Sequence, residues 1–317
     1  MHDEGDTIVY MEQTKSNPRT NQLRAGVTDE NLAAAIDASG YPLQIRVAAI
    51  LAATFDVAEE ATYLDQLSGT PRALDIIATW RPIDSTPVFP GVDLLVECKQ
   101  SELPYIFFRA VARPSLDTFP AIHGLREGLV DTNIGGRYKV RLPLSRLLGL
   151  DAEPFAKSAE ICATFSKLVR KGKNFELSGS EAFSVIVLPL ISALAYNAKQ
   201  SALQGQQQIY FPTLAMPICV LDAPMVVVDA LSGFRSLCPW IRVPRERADS
   251  VAGRLYDFID VVHADFLDRY VADHLLPFVQ TFADRCRPKF SMLHNMLAHV
   301  PELLDLDWRS VKGPDGN

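Results

Sequence analysis

Three ionisable residues lie in or beside two apolar stretches of the chain. Asp75 lies inside the run Arg72–Thr79, Glu97 lies near the end of the run Val92–Cys98, and Lys99 follows two residues later. If the two runs are paired strands, two carboxylates and one ammonium group meet at one point. Two carboxylates, together with a substrate phosphate, are a common way to bind Mg²⁺. The spacing therefore predicts a metal-dependent site for phosphodiester hydrolysis with Asp75, Glu97 and Lys99 as its catalytic residues.

The alternation of side chains along a strand sharpens this prediction. Glu97 and Lys99 share one face of their strand, whereas the side chain of Cys98 points to the other face. Taken singly, a Glu-x-Lys sequence is common at exposed strand ends, and a lone Asp is common at a sheet edge. The functional interpretation depends on their combination, because both acids belong to strongly apolar strands.

The surrounding pattern predicts a mixed α/β fold with one main sheet. A helix is expected to begin at Tyr41-Pro42-Leu43, with proline in its first turn. Further helices are predicted at Asp151–Arg170, Glu181–Ala198 (with a kink or break at Pro189), Asp265–Cys286 and Met292–Leu304. Strands are predicted at Ala61–Leu64, Arg72–Thr79, Val92–Cys98, Tyr105–Arg109, Arg137–Leu142, Ile209–Asp222, Met225–Val228, Trp240–Val243 and Phe258–Val262.

A longer stretch carries a family resemblance. The sequence GYPLQIRVAAIL…ATYLDQLSGTPRALDIIATW…VDLLVECKQSELPYIFF, about residues 40–110, resembles the core of the PD-(D/E)xK phosphodiesterase superfamily, which has a restriction-endonuclease-like fold. Members of this group have a helix, a hairpin with a metal-binding Asp, and a strand ending in (D/E)xK. The resemblance implies that Asp75, Glu97 and the backbone carbonyl of Cys98 hold Mg²⁺ (or Mn²⁺), and that Lys99 is the catalytic lysine.

Position 44 departs from the family pattern. Many members have a Glu on the first helix that faces the site, where this chain has Gln44. A glutamine offers a carbonyl oxygen but no negative charge. We therefore expect Gln44 to support the site while weakening its hold on the metal.

Other residues are candidates for supporting roles. Asp65 lies in the turn before the Asp75 strand, and Gln100 follows Lys99 directly; either could assist the site, although Asp is also common in turns for backbone reasons. Nucleic-acid contacts are predicted for Arg137, Lys139 and Arg141, which alternate along one strand and so share a face. A solvated sheet face would have the same pattern.

Composition limits the class of protein. The chain has 317 residues, of which 48% are hydrophobic and 22% charged, as in an ordinary globular protein. Five cysteines without a CxxC pair predict reduced thiols in a cytoplasmic protein, and no stretch is apolar for long enough to predict a membrane span. The net charge of −7 argues against a protein that simply coats nucleic acid.

The charge is unevenly distributed along the chain. Residues 27–108 contain 4 Lys and Arg against 12 Asp and Glu, whereas residues 109–173 contain 12 against 6. An acidic segment beside a basic one suits a metal site next to an anion-binding surface. Because the low overall basicity limits non-specific affinity for nucleic acid, we expect a protein partner in a larger complex to supply specificity. The chain could also form a homo-oligomer.

Together these observations predict three regions and one activity. We expect a loose N-terminal arm at 1–30, a nuclease-like α/β domain at 31–260 and a C-terminal helical extension at 261–317. The predicted function is metal-dependent hydrolysis of phosphodiester bonds in DNA, in DNA processing or defence. The alternative is a nuclease-derived DNA-binding or scaffold protein with weak or no cleavage, which Gln44 favours.

Overall fold

A computed structural model of the chain describes residues 16–65, 68–81, 90–112, 114–116, 119–124, 129–134, 138–204, 212–249 and 253–289. The strands are β1 Asp56–Leu64, β2 Pro71–Trp80, β3 Gly91–Gln100, β4 Tyr105–Arg109, β5 Ala121–His123, β6 Leu129–Ile134, β7 Tyr138–Pro143, β8 Glu160–Lys171, β9 Asn174–Ser178, β10 Thr213–Asp222, β11 Met225–Val228, β12 Arg235–Leu237, β13 Trp240–Asp249 and β14 Gly253–His263. The α-helices are α1 Asp29–Ala38, α2 Tyr41–Ala52, α3 Leu144–Leu147, α4 Pro154–Ser158, α5 Gly179–Ala182, α6 Leu188–Gln204, α7 Leu267–Arg269 and α8 Leu276–Cys286.

Most strands join one mixed sheet. Their order across it is β1-β2-β3-β10-β14-β13-β8-β4-β11-β12, with β5 beside β10 and β9 beside β8. Strands β1, β2 and β3 form an antiparallel meander, β10 runs parallel to β3, and β14 runs parallel to β10. Strands β6 and β7 form a separate hairpin. The predicted α/β class, with a mixed sheet flanked by helices, is therefore confirmed.

Apolar cores lie on both faces of the sheet. On one face, α2, α4 and α8 pack over alternate residues of β2, β3 and β10. On the other face, α6 covers the remaining residues of β3 and β10 together with side chains from β4 and β8. Strands β3 and β10 are buried along most of their length, because both of their faces are covered. The strands that carry the candidate site are thus central.

Helix α2 begins where the sequence predicts. Gly40, immediately before it, has a φ of 79°, a left-handed conformation that glycine adopts without steric cost. Pro42 occupies the first turn, where its missing N–H has no helical partner to lose. Leu43, Val47 and Leu51 are buried and recur at helical spacing, so the helix presents one apolar face to the sheet.

The predicted helix at Asp151–Arg170 is wrong. The structure has short helical turns up to α4, and residues Glu160–Lys171 form strand β8. Phe155, Ala159 and Cys162 have helical spacing, but they belong to different elements. Ile161 and Cys162 are consecutive and both buried, since the start of β8 is covered on both faces. The period-2 signal of a strand is absent there.

A single helical segment spans 179–204, without a break at Pro189. The segment consists of α5, a π-helical turn at Phe183–Val187 and α6. Proline lacks an N–H and crowds the carbonyl four residues earlier. For Pro189 that carbonyl belongs to Val185, which lies inside the π-helical turn. Residues Gly179–Ser201 are long and apolar enough to span a membrane by length and composition alone. Ile186, Leu190 and Leu194 are buried in the core, and a buried core helix passes the same test, so one such helix is weak evidence for a span.

The C-terminal part of the chain packs into the same core. Asp265–Cys286 is helical as predicted, although it includes a 3₁₀ turn and a π-helical turn at Tyr270–Leu275. Phe278 and Phe282 of α8 belong to the same apolar cluster as α2. Residue 260, where the sequence predicts a boundary, lies inside β14. The predicted helix at 292–304 lies outside the described residues.

Candidate metal and phosphate site

The candidate site lies where strands β2 and β3 separate. The β2–β3 pairing ends at Ile76 and Val96, whereas β3 stays paired with β10 as far as Gln100. One position beyond the last pair, the same register would place Asp75 opposite Glu97. The two acids therefore face each other at a fork in the sheet, where backbone groups no longer pair across the gap.

Three polar contacts connect the predicted catalytic residues. The backbone N–H of Cys98 donates to Oδ2 of Asp75 at 2.7 Å. The Nζ atom of Lys99 lies 2.5 Å from Oε2 of Glu97 and 3.6 Å from Oδ2 of Asp75. The structure thus brings Asp75, Glu97 and Lys99 to one point, with the ammonium group against both carboxylates.

Burial governs the charge states at this point. The pKa of Glu97 is raised to about 7: burial is the largest cause, Lys99 opposes the rise, and the neighbouring Asp75 carboxylate adds to it. Burial alone would lower the pKa of Lys99, but the Glu97 and Asp75 carboxylates outweigh it and raise that pKa above its ordinary value. Lys99 therefore remains an ammonium ion near neutral pH. Burial also raises the pKa of the Cys98 thiol, and this side chain packs against the core on the α2 side.

Gln44 supports the backbone rather than pointing a ligand into the cleft. Its Nε2 donates to the backbone carbonyl of Asp75 at 3.0 Å. In the β1–β2 ladder, Glu59 pairs with Ile76 and Ala61 pairs with Leu74, but Glu60 and Asp75 between them do not pair. Glu60 has a φ of 52°. A side chain from α2 thus satisfies a carbonyl at an interruption in the sheet. Buried carbonyl groups need such a partner.

Asp65 lies behind the cleft wall. It is 2% exposed and lies 2.8 Å from Nε of Arg72, while Ser68 donates its hydroxyl to the same carboxylate. Arg72 itself lines the cleft. Asp65 is therefore connected to the cleft through Arg72.

The three catalytic candidates open into a cleft of about 430 Å³. Gln100, predicted as a supporting residue, is exposed and lies on its wall. The described side chains that complete the lining come from β1, β2, β4, β8 and the 179–204 helix: Tyr63, Arg72, Ala73, Tyr105, Lys167, Glu181, Val185 and Pro189. The lining thus draws on strands and a helix that are far apart in the sequence.

Sequence reasoning did not identify Arg72 or Glu181 as cleft residues, and it placed Lys167 in a basic run at the end of a helix, where the run would suit either contact with a phosphate backbone or the helix dipole. Lys167 belongs to β8, a segment that the sequence suggested to be helical, and its partner Glu181 lies 14 positions further along the chain, 2.9 Å away. No local motif links the two residues. The strand assignment, with side chains of β8 alternating toward the cleft, could have found Lys167; Glu181 lies on α5 and comes to the cleft only through the tertiary fold.

The predicted nucleic-acid residues are only partly described. Lys139 and Arg141 belong to β7, opposite Asn133 and Asp131 of β6. Arg137 lies outside the described residues. The hairpin contacts α3, which belongs to the core on the α2 side of the sheet.

The donor set suits an oxygen-preferring cation. Among the residues that the structure describes, no group of three or more His, Cys, Asp and Glu side chains could hold a metal. Asp75 and Glu97 provide two carboxylates, and Mg²⁺ is commonly bound by one or two carboxylates plus substrate phosphate oxygens. The Lys99 ammonium already lies against both acids, as expected where the local charge attracts cations. Mg²⁺ and Mn²⁺ therefore fit the chemistry of these residues.

Comparison with protein-family models, curated proteins and solved structures finds no match to this chain.

Proposed function

We propose that the protein hydrolyses phosphodiester bonds in DNA with the help of a divalent metal ion. The observation that carries this proposal is the convergence of Asp75, Glu97 and Lys99 in one open cleft, with Nζ of Lys99 2.5 Å and 3.6 Å from the two carboxylates. Two carboxylates and a fixed ammonium group are a constellation suited to a reaction in which a phosphate gains negative charge.

The order of elements around the site supports the same proposal. Helix α2 precedes the hairpin β1–β2, Asp75 lies on the second strand of that hairpin, and β3 ends in Glu97-Cys98-Lys99. The helix packs on the meander, and β10 extends the sheet parallel to β3. This arrangement agrees with the restriction-endonuclease-like core that the sequence resembles.

Asp75, Glu97 and the carbonyl oxygen of Cys98 would hold the metal ion. A bound Mg²⁺ or Mn²⁺ would polarise the phosphate and lower the pKa of a water molecule. The thiol of Cys98 packs against the core on the other side of β3, so the backbone carbonyl and not the thiol would be the ligand.

The chain's own residues orient the reacting groups. Lys99 stays protonated, so it stabilises negative charge on a phosphate oxygen rather than removing a proton from water. An ammonium group has three donors, so Lys99 can contact Glu97 and a phosphate together. The Cys98 N–H fixes the orientation of Asp75, and Gln44 fixes its backbone.

A second candidate function is DNA binding with weak or no cleavage. Gln44 supports it, because this residue donates its amide hydrogen to the Asp75 carbonyl and brings no third carboxylate. A site with one fewer anion attracts a divalent cation less strongly.

A plasmid-nicking assay in Mg²⁺ or Mn²⁺ distinguishes the two functions. We expect the wild type to nick supercoiled DNA and the variants Asp75→Asn and Lys99→Ala to lose at least 100-fold in rate, on the order of the contribution of one electrostatic catalytic group. Lys171→Ala is the matched control, because Lys171 is 74% exposed and paired with Glu176 outside the cleft lining. DNA binding without nicking by the wild type would favour the second candidate, and equal rates in all variants would overturn the assignment of the site.

A further inference from the structure

A second cation lies in the same cleft and has no role in the chemistry proposed so far. Lys167 on β8 lines the cleft, and its cross-strand neighbour on β4 is Tyr105. Its Nζ lies 2.9 Å from Oε1 of Glu181, in the first turn of α5. The Lys167 side chain is only 23% exposed.

Lys171 on the same strand provides an internal comparison. It too is paired with a glutamate, Glu176, at 3.1 Å, but its side chain is 74% exposed. An exposed pair of this kind contributes little to stability. Lys167 differs in that its ammonium group is held in a partly desolvated cleft, where a charge interacts more strongly with a bound anion.

The lysine retains capacity to bind a ligand. An ammonium group has three N–H donors, and the Glu181 contact uses one of them. Arg72, also on the cleft wall, is held in a similar way by the buried Asp65. Each cation is thus oriented by a carboxylate of its own while it faces the cleft.

We propose that Lys167 binds a phosphate of the nucleic-acid backbone next to the one that reacts, and that Glu181 positions it. This inference rests on the proposed function. Lys99 then contacts the reacting phosphate and Lys167 a neighbouring one, which sets the direction of the strand through the cleft. A lysine that contacts only phosphate adds affinity without sequence preference.

The test is DNA binding by Lys167→Met, which keeps the aliphatic stem, compared with Lys171→Met. Fluorescence anisotropy with a labelled duplex is measured in Ca²⁺ over a range of salt concentrations, with duplex integrity checked on a gel. We expect Lys167→Met to bind about tenfold more weakly, as for the loss of one charge-assisted hydrogen bond. Its salt slope should fall by about one. Lys171→Met should match the wild type, and Lys167→Arg should restore most of the affinity.

Two further measurements separate phosphate binding from a structural role. Mn²⁺ affinity, measured by calorimetry, should be equal in the wild type and Lys167→Met, because Lys167 is not a ligand. Glu181→Gln, which keeps an acceptor oxygen but removes a negative charge from the cleft, should bind DNA more tightly than the wild type. If Lys167→Met is poorly folded, the DNA affinity of Glu181→Gln provides the test instead.

The outcomes distinguish this inference from the proposed function. Wild-type nicking with unchanged affinity and salt slope in Lys167→Met, or unchanged affinity in Glu181→Gln, would overturn the role of Lys167 and leave the nuclease standing. A wild type that neither binds nor cleaves DNA would overturn the proposed function itself.

Discussion

Glu97 gives the site a pH dependence that can be measured without metal. Its folded pKa of about 7 lies above the ordinary value of 4.5, because the side chain is buried. The folded state therefore binds this proton more tightly than the unfolded state, and the resulting stability is present below about pH 4.5 and lost as pH rises through about 7. We expect this one group to lower the free energy of unfolding by up to about 3 kcal/mol across that interval.

Glu97→Gln isolates this contribution. The variant cannot titrate at position 97, whereas every other carboxylate is the same in both proteins. The difference in unfolding free energy between variant and wild type, from urea titrations in EDTA, should grow in favour of the variant between about pH 5 and pH 8. Parallel pH curves for the two proteins would mean that Glu97 is already ionised at pH 5.

Gln44→Glu tests the role that the structure gives to position 44. The family resemblance alone suggests that Glu would improve the site. In the structure the Gln44 amide donates to a carbonyl, and a carboxylate there would place two acceptors against each other. We expect a loss of about 1–3 kcal/mol in metal-free unfolding free energy, measured by urea titration. Ile45→Glu, on the exposed side of the same helix, is the control and should change little.

The convergence of Asp75, Glu97 and Lys99 could be predicted from the sequence because strand alternation and antiparallel pairing are strict. Glu97 and Lys99 must share one face of their strand. Antiparallel pairing of that strand with the strand of Asp75 then leaves few registers, so the three side chains are readily brought together. The bond between Gln44 and Asp75 could not be predicted. It depends on an interruption of the β1–β2 pairing at Glu60, whose positive φ leaves no signature in the residue type.

At the scale of elements, the burial of each strand determined whether its secondary structure could be predicted from the hydrophobic pattern. Strand β3 is apolar from Val92 to Val96 apart from Asp93 and then carries Glu97 and Lys99, and this short run could not belong to a long helix. Strand β8 has an apolar start that is buried on both faces and a polar, half-exposed remainder. Its start lacks the alternation of a strand and matches helical spacing, and the contacts that select the strand come from β4 and β13, which are distant in the chain.

Tyr63 connects two elements that both line the cleft. Its hydroxyl on β1 donates to the carbonyl of Pro189 on α6 at 3.0 Å. Burial raises the pKa of this phenol to about 12, so it remains a donor throughout the working range. Tyr63→Phe should lower the unfolding free energy by about 1 kcal/mol, measured by urea titration. Tyr41→Phe, on a side chain that is 60% exposed, should leave it unchanged, and equal effects would mean that the bond contributes nothing.

At the scale of the whole molecule, the sheet that carries the cleft combines strands from both halves of the described chain. Strands β2 and β3 supply the catalytic candidates, and the parallel pairing of β3, β10 and β14 connects them to the C-terminal half. The helices after β14 share a core with α2. We therefore expect the described chain to unfold as one cooperative unit, with no independent stability at residues 29–100.

A buried ion pair outside the cleft lining tests this expectation. Arg242 on β13 is fully buried and donates to both carboxylate oxygens of Asp260, at 2.6 Å and 2.8 Å. It also donates to the carbonyls of Phe155 and Ala156 in α4, and Tyr270 donates its hydroxyl to Asp260. The Arg242 guanidinium thus connects β13, β14 and α4. Tyr270, from the segment after β14, adds a third contact to the Asp260 carboxylate.

Arg242→Lys should destabilise the whole protein. A single ammonium group cannot reproduce the planar fork that reaches Asp260 and both carbonyls, so buried acceptors lose their partner at a cost of about 3 kcal/mol or more. Arg269→Lys is the control, because Arg269 is 73% exposed and its contacts, a pair with Asp273 and a stack over the Phe266 ring, lie at the surface. Native-state hydrogen exchange is the measurement. If the molecule is one unit, amide protection in β3 falls by the same free energy as in β13, whereas loss of protection confined to β13 and β14 would mean that β2 and β3 are stable without the C-terminal half.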